Sequence, residues 1–392
     1  MKLEPIGNLV SRVSQCDPGA LGKDWITYLD ISSIDRESKQ IIAPARIAAA
    51  TAPSRARQQV RAEDVLVSTV RPNLNAVARV PRQLHDDIAS TGFCVLRPSK
   101  NRVCPSYLFY FTQTDRFVSH LMRISTGASY PAVTDNDIFE TQIPLPSLNE
   151  QQRIAEQLEQ ADRLRRTRRY ALELSDSFLP AAFLELFGDP KHNEKCWEQV
   201  LWGDLVRISS GHAFKLKEYS HGGVRLLQIA NVSFGQIDWS ISAFLPEKCL
   251  VEYSDIVLQP GDLVIALNRP IIGPRIKFAV LREKDCPSIL YQRVGKFNLK
   301  TNAMLQPFLC GFMSSNFFYH ELKKRLAGSD QPYINPSDLE SVPVPVPPIP
   351  LQQQFAALVA RHERLRATQR EALRQAEHLF QTLLHRAFGE GV

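Results

Sequence analysis

No stretch of 18 consecutive apolar residues occurs in the chain, and it begins Met-Lys-Leu-Glu-Pro rather than with an apolar leader core. Neither a membrane span nor a secretory signal is indicated, so a cytoplasmic protein with no membrane partner is expected. The seven cysteines, at 16, 94, 104, 196, 249, 286 and 310, contain no Cys-x-x-Cys pair, which argues against a zinc site and a disulfide framework. The nine histidines form no His-x-His or His-Glu-x-x-His pattern, so no metal is expected. Gly19-Ala-Leu-Gly-Lys-Asp lacks the spacing of a phosphate loop and places Asp24 where a magnesium-binding hydroxyl belongs. The Asn/Asp-Pro-Pro-aromatic tetrapeptide of an amino-methyltransferase is also missing, since Pro347-Pro348 lies between Val346 and Ile349. With so thin an inventory, no catalytic residue and no cofactor are expected in this chain.

What the chain does have is a copy of itself. Residues 127–189 overlay 328–390 at a constant offset of 201 without a gap, and 17 of the 63 positions are identical. Gly127, Pro131 and Asp137 face Gly328, Pro332 and Asp338; Pro144 and Pro146 face Pro345 and Pro347; Gln151-Gln152 faces Gln352-Gln353. Arg163-Leu-Arg165 and Phe187-Gly188 recur as Arg364-Leu-Arg366 and Phe388-Gly389. Ahead of these blocks, Ile6-Gly-Asn-Leu-Val resembles Trp202-Gly-Asp-Leu-Val, and Asp64-Val-Leu-Val…Arg71-Pro resembles Asp262-Leu-Val-Ile…Arg269-Pro. A repeat of this length is a duplicated domain with its connector rather than a solenoid unit. Two modules on rigid connectors suit the reading of two similar targets at a fixed separation.

Each half reads as a mixed module followed by a long helix, an α+β architecture: 1–145 and 146–188, then 189–347 and 348–392. Short β-rich segments are expected at 25–31, 64–70 and 76–80, and at 226–232, 262–267 and 275–281, with helices at 105–111 and 306–315. The Pro-rich exits, 143–148 and 342–350, predict stiff connectors or edge strands. From Glu150 to Leu186 no glycine occurs and no proline before Pro180, which predicts one rod of roughly 37 residues, about 55 Å, capped by Asn149 with Gln152. Apolar seams on both rods predict that they pair antiparallel as an imperfect coiled coil.

The net charge of +6 is weakly informative, but its distribution is not. Arg163, Arg165, Arg166 and Arg169 form a basic stripe that Arg364, Arg366 and Arg370 repeat, suited to phosphate or an acidic partner face; a solvated helix face is the alternative. Arg71, Asn73 and Asn75, and Asn268 and Arg269, lie at strand exits, where arginine and asparagine suit guanine and adenine edges. A local turn is the alternative. The Gly127 and Gly328 loops add Ser129, Tyr130, Ser329, Gln331 and Tyr333 as candidate contacts to phosphate or base.

The duplicated Ile/Val-Pro-Leu/Val-Pro exits, paired glutamines, Arg-Leu-Arg helices and terminal Phe-Gly resemble the specificity subunit of a type I restriction–modification system, over nearly the whole chain. The resemblance implies two target-recognition domains, each reading half of a split, asymmetric double-stranded DNA site, with the helices as spacer and dock for two modification (methyltransferase) subunits. S-adenosylmethionine, and ATP with magnesium for restriction, would be used by those partners and by the restriction/translocase subunits. A stand-alone DNA-binding regulator, or the recognition subunit of another restriction–modification complex that cuts near its site, remain as alternatives.

Overall fold

The computed structural model describes residues 2–127 and 129–389; Met1, Ala128 (within the first Gly loop) and residues 390–392 lie outside the described residues. The chain divides into two compact units, Met1–Ala171 with Gln369–Val392, and Leu172–Thr368. Each unit therefore holds one module, the beginning of one long helix and the end of the other.

In the first unit, Val10–Ser11, Phe93–Pro98, Val65–Ser68 and Val77–Arg79 form a four-stranded antiparallel sheet in that order. A second sheet runs Ala45–Ala48, Trp25–Leu29, Ile88–Ser90, Ala56–Gln59, with the middle two strands parallel. The central strand shows how the sequence builds the layers. Its side chains alternate between faces, so Val65 and Val67 join Tyr107, Phe111 and Ile154 under the helices. Leu66 faces Leu29, Val60 and Ala89 in the core between the sheets.

The second unit repeats this plan. Val206–Ser210, Val294–Leu299, Leu263–Ala266 and Phe278–Val280 form one sheet; Ala243–Leu245, Val224–Leu227, Ser288–Leu290 and Val257–Leu258 form the other, again with a parallel central pair. Leu263 and Ile265 turn toward Phe308 and Phe312, Val264 and Ala266 toward Leu227 and Leu290. The duplication thus extends through the interiors, where the two halves share almost no sequence.

The expected helices appear as Pro105–Phe111 and Gln306–Met313. Both Pro-rich exits are two-stranded edges: Gln142–Pro144 pairs with Leu3–Pro5, and Pro343–Val346 with Glu198–Leu201. The expected strand at 275–281 is instead two, Arg275–Ile276 and Phe278–Val280, because Lys277 turns its N–H to the Pro270 carbonyl at 2.7 Å.

The long helices depart from expectation in two places. The first begins at Leu148, not after Asn149; its cap is Ser147, whose Oγ accepts from the Glu150 N–H at 3.4 Å. It ends at Asp176, and Phe178–Phe187 is a separate helix. Pro180 offers no N–H to the Asp176 carbonyl, four residues back, and crowds it, which interrupts the ladder. The second, Ile349–Phe388, runs unbroken for 40 residues because its proline, Pro350, falls in the first turn where no donor is needed.

Within each unit the helix contacts run antiparallel: Arg165 meets Phe380 and Arg169 meets Glu377 in the first, Asp176 meets Arg366 and Phe183 meets Phe355 in the second. In the first, Ile154, Leu158 and Ala161 share a core with Phe380, Leu384 and Phe388. In the second, Phe183 and Phe187 share one with Phe355. Phe388 packs on Tyr107 with ring centroids 4.8 Å apart, and Phe187 on Phe308 at the same distance; both pairs are related by the offset of 201.

Gln151 and Gln352 lock each helix to its module. Gln151 accepts from the Cys104 N–H at 2.9 Å and donates to the Pro146 carbonyl at 3.0 Å. Gln352 accepts from the Leu305 N–H at 2.8 Å and donates to the Ala303 and Pro347 carbonyls at 2.9 and 2.8 Å. Both side chains are buried, so the repeated first glutamine is explained by hydrogen bonding inside the module.

Candidate nucleic-acid interface

The two loop families read separately in the sequence form one site in each unit. After the central strand of the first sheet, Arg71 enters the left-handed region (φ 50°, ψ 61°) and donates its N–H to the Pro131 carbonyl at 2.7 Å. In the second unit Arg269 (φ 48°) donates to the Pro332 carbonyl, also at 2.7 Å. A side chain in this region costs on the order of 1 kcal/mol, so the same strain at equivalent arginines marks a frame held by its surroundings. Flanking bonds agree: Val133 N–H to Thr69 and Ile334 N–H to Leu267, both 2.9 Å. Single bridges join Val70 to Ala132 and Asn268 to Tyr333.

The strand that delivers each arginine begins at a clamped aspartate. Asp64, buried, takes Arg97 at 2.8 Å and the Arg61 N–H at 2.8 Å; Asp262 takes Lys296 at 2.7 Å and the Gln259 N–H at 2.8 Å.

Side chains then diverge on this common backbone. The Arg71 guanidinium lies over the Tyr130 ring, 4.5 Å from its centre, and Tyr130 is 66% exposed. Arg71, Asn73 and Ser129 line an open depression with Leu74, Met122 and Pro131. Asn75, also left-handed (φ 43°), is half-buried. In the second unit Gln331 occupies the position equivalent to Tyr130, and Tyr333 that of Ala132. Arg269, Ser329 and Gln331 are exposed, Tyr333 is 41% exposed, and Asn268 is half-buried. Burial and then the Arg269 charge lower the Lys277 pKa. No hydrogen bond occupies the guanidinium of Arg71 or of Arg269 among the described residues, so both could meet a base edge or a phosphate.

The helix arginines separate into two groups. Arg165 is buried, bonded to Asp162 at 2.7 Å and stacked 3.9 Å above the Phe380 ring. Arg166 shares Asp162 at 3.1 Å; Arg169 binds Glu377 at 2.7 Å; Arg366 binds Asp176 at 2.6 Å. Arg163, Arg364 and Arg370 are exposed and keep the outward charge of the stripe.

Sequence reasoning missed Lys39, Lys277 and the exposed Trp25, over which Arg46 stacks at 5.5 Å. None belongs to a recurrent motif. Only the fold brings Lys39 beside Asn75, 36 positions along the chain.

The model of the type I restriction modification DNA specificity domain matches residues 63–174 and 194–377. The chain belongs to this family. It is 37% identical over 292 residues to the type I restriction enzyme MjaVIII specificity subunit of Methanocaldococcus jannaschii, covering 71% of this chain and 68% of that one. The EcoKI specificity subunit of Escherichia coli K12 is 22% identical over 84% of this chain and 75% of its own length. Among solved structures, a chain of a type I restriction–modification system matches with a TM-score of 0.61 and 27% identity, covering 100% of this chain and 98% of that one. The S subunit from M. genitalium, 14% identical with a TM-score of 0.57 over 96% of its length, shares the fold.

Proposed function

We propose that this specificity subunit reads a bipartite, asymmetric double-stranded DNA site, one half through the loop of Arg71 and the other through that of Arg269. The observation that carries the reading is the duplicated arginine frame: two strained residues, equivalent in the two modules, each with a guanidinium open to solvent. Arg71, Asn73, Asn75, Ser129 and Tyr130 serve one half-site; Asn268, Arg269, Ser329, Gln331 and Tyr333 serve the other. In this reading 1–145 and 189–347 are the recognition domains, and 146–188 and 348–392 the spacer helices. The helices dock two methyltransferase subunits, with Arg163, Arg364 and Arg370 as the accessible charges for a partner or for phosphate. S-adenosylmethionine, and ATP with magnesium, are used by the modification and restriction/translocase subunits, in the cytoplasm.

The test is methylome sequencing of the host before and after deletion of the gene. One split, asymmetric motif should lose its methylation completely. An unchanged methylome in a strain that expresses the chain with its partners would contradict the reading.

A further inference from the structure

Between the first reading loop and the first long helix stands a hairpin that nothing in the duplicated motifs predicts. Ile34–Asp35 pairs with Gln40–Ile41. The Asp35 carboxylate organises the turn, accepting from the Glu37 N–H at 2.8 Å and the Ser38 hydroxyl at 2.9 Å. Lys39, left-handed at φ 56°, closes it. Its ammonium donates to the Asn75 carbonyl at 2.6 Å, at the end of the loop that begins with Arg71. On the other side Glu37 lies 3.6 Å from Arg169 of the long helix, and the Lys39 charge feels that of Arg165. The strand leaving the loop is held to the same helix, since Arg79 binds Glu159 at 2.9 Å and Glu63 at 3.6 Å.

We propose that Lys39 is the positioning residue of the first reader: its ammonium on the Asn75 carbonyl fixes the Arg71–Asn75 loop against a hairpin braced on the spacer helix, and so sets the aim of Arg71 and Asn73. The proposal rests on the reading of this loop as a DNA contact. The reason is mechanical. Asn75 is left-handed; its N–H bonds Pro72 and the next carbonyl, Ala76, accepts from Ser68, but among the described residues no backbone N–H reaches the Asn75 carbonyl, which takes the Lys39 ammonium instead. Lys39 is half-buried with the like charge of Arg165 nearby, partly offset by Asp35, so burying the ammonium is costly and its bond to the Asn75 carbonyl helps offset that cost. The second reader is braced differently. There Lys277 gives its backbone N–H to Pro270 and its ammonium to the Ile229 carbonyl.

The experiment selects bound sequences from a pool of random-sequence duplex DNA with the full chain, comparing wild type, Lys39→Met, Lys39→Arg, Arg71→Ala and Glu37→Gln. Lys39→Met should lose about tenfold of the base preference in one half-site only, and Lys39→Arg should restore most of it. Glu37→Gln, at a side chain 76% exposed, should lose about twofold. Adding Lys39→Met to an Arg71→Ala/Asn73→Ala variant should cost nothing further, because the lysine acts through those two side chains. Amide exchange should rise over residues 71–75 in Lys39→Met and stay constant over 65–68, which a general loss of stability would not produce. Unchanged preference in Lys39→Met and Glu37→Gln, with Arg71→Ala impaired, overturns the positioning role alone. Unchanged preference in Arg71→Ala overturns the reading of the loop and the positioning role with it.

Discussion

The two modules differ most where they are most alike. Their arginine loops share a left-handed residue, a 2.7 Å bond to a proline carbonyl and the same flanking bridges. Yet Arg71 rests on Tyr130 while the second loop has Gln331 at that position, and Val70 and Ala132 become Asn268 and Tyr333. Backbone hydrogen bonds are indifferent to side-chain identity, so they preserve the frame while the side chains it carries vary. The helices repeat the lesson. Arg165 is buried between Asp162 and Phe380, whereas its counterpart Arg366 reaches the exposed Asp176.

This asymmetry predicts the largest stability contrast in the molecule. Asp162→Ala should cost about 3–5 kcal/mol in chemical denaturation, because it strands a buried arginine. Asp176→Ala should cost under about 1 kcal/mol, since that carboxylate is 61% exposed. Equal losses would erase the distinction.

A second contrast lies between Tyr110 and its counterpart Gly311. A Cβ on Gly311 would stand 2.4 Å from Phe183 Cδ2, so Gly311→Ala should cost about 1–3 kcal/mol by overpacking. Thermal unfolding that leaves the variant as stable as the parent would show that the helix there has room.

At the loops, Arg71→Ala and Arg269→Ala should each reduce discrimination by about 1–3 kcal/mol in one half-site and spare the other, measured by competition binding with single-base variants of the site. Tyr130→Ala should have a smaller effect, about 0.5–1 kcal/mol, confined to the Arg71 half.

A further contrast is a pH dependence set by Lys39 in the first module. Burial, and then the Arg165 charge, bring the Lys39 pKa from 10.5 to about 8. The groups facing it are Asp35, Arg36 and Glu37 on its own hairpin and Arg165 and Arg169 on the helix. Between about 8 and 10.5 the unfolded chain holds the proton that the folded chain has released, so this group's contribution to stability is lowest below about 8 and rises with pH across the window. The stability difference between wild type and Lys39→Met should therefore shift toward wild type as pH rises, in denaturant titrations; a shift the other way would contradict it.

Much of this was legible in the sequence, and for a physical reason. The Pro-x-Pro edges, the strands at Asp64 and Asp262, and the paired glutamines are local or recur at a fixed offset, so comparing the halves exposes them. The break at Ser177 was legible in principle from Pro180, since a missing donor in the body of a helix interrupts the ladder wherever it falls. The separation of buried from exposed arginines was not, because Phe380 and Glu377 come from a distant part of the chain and helical spacing alone does not fix the packed face. Lys39 was invisible for the same reason: its partner is a backbone carbonyl, which leaves no mark on sequence.

Two independent readers in one chain can be separated by exchanging residues 1–145 for the corresponding module of a relative and sequencing the methylome of cells that express the hybrid with its partner subunits. One half of the methylated site should change while the other half and the number of unspecified base pairs between them stay the same. A hybrid in which both halves change together would contradict that independence.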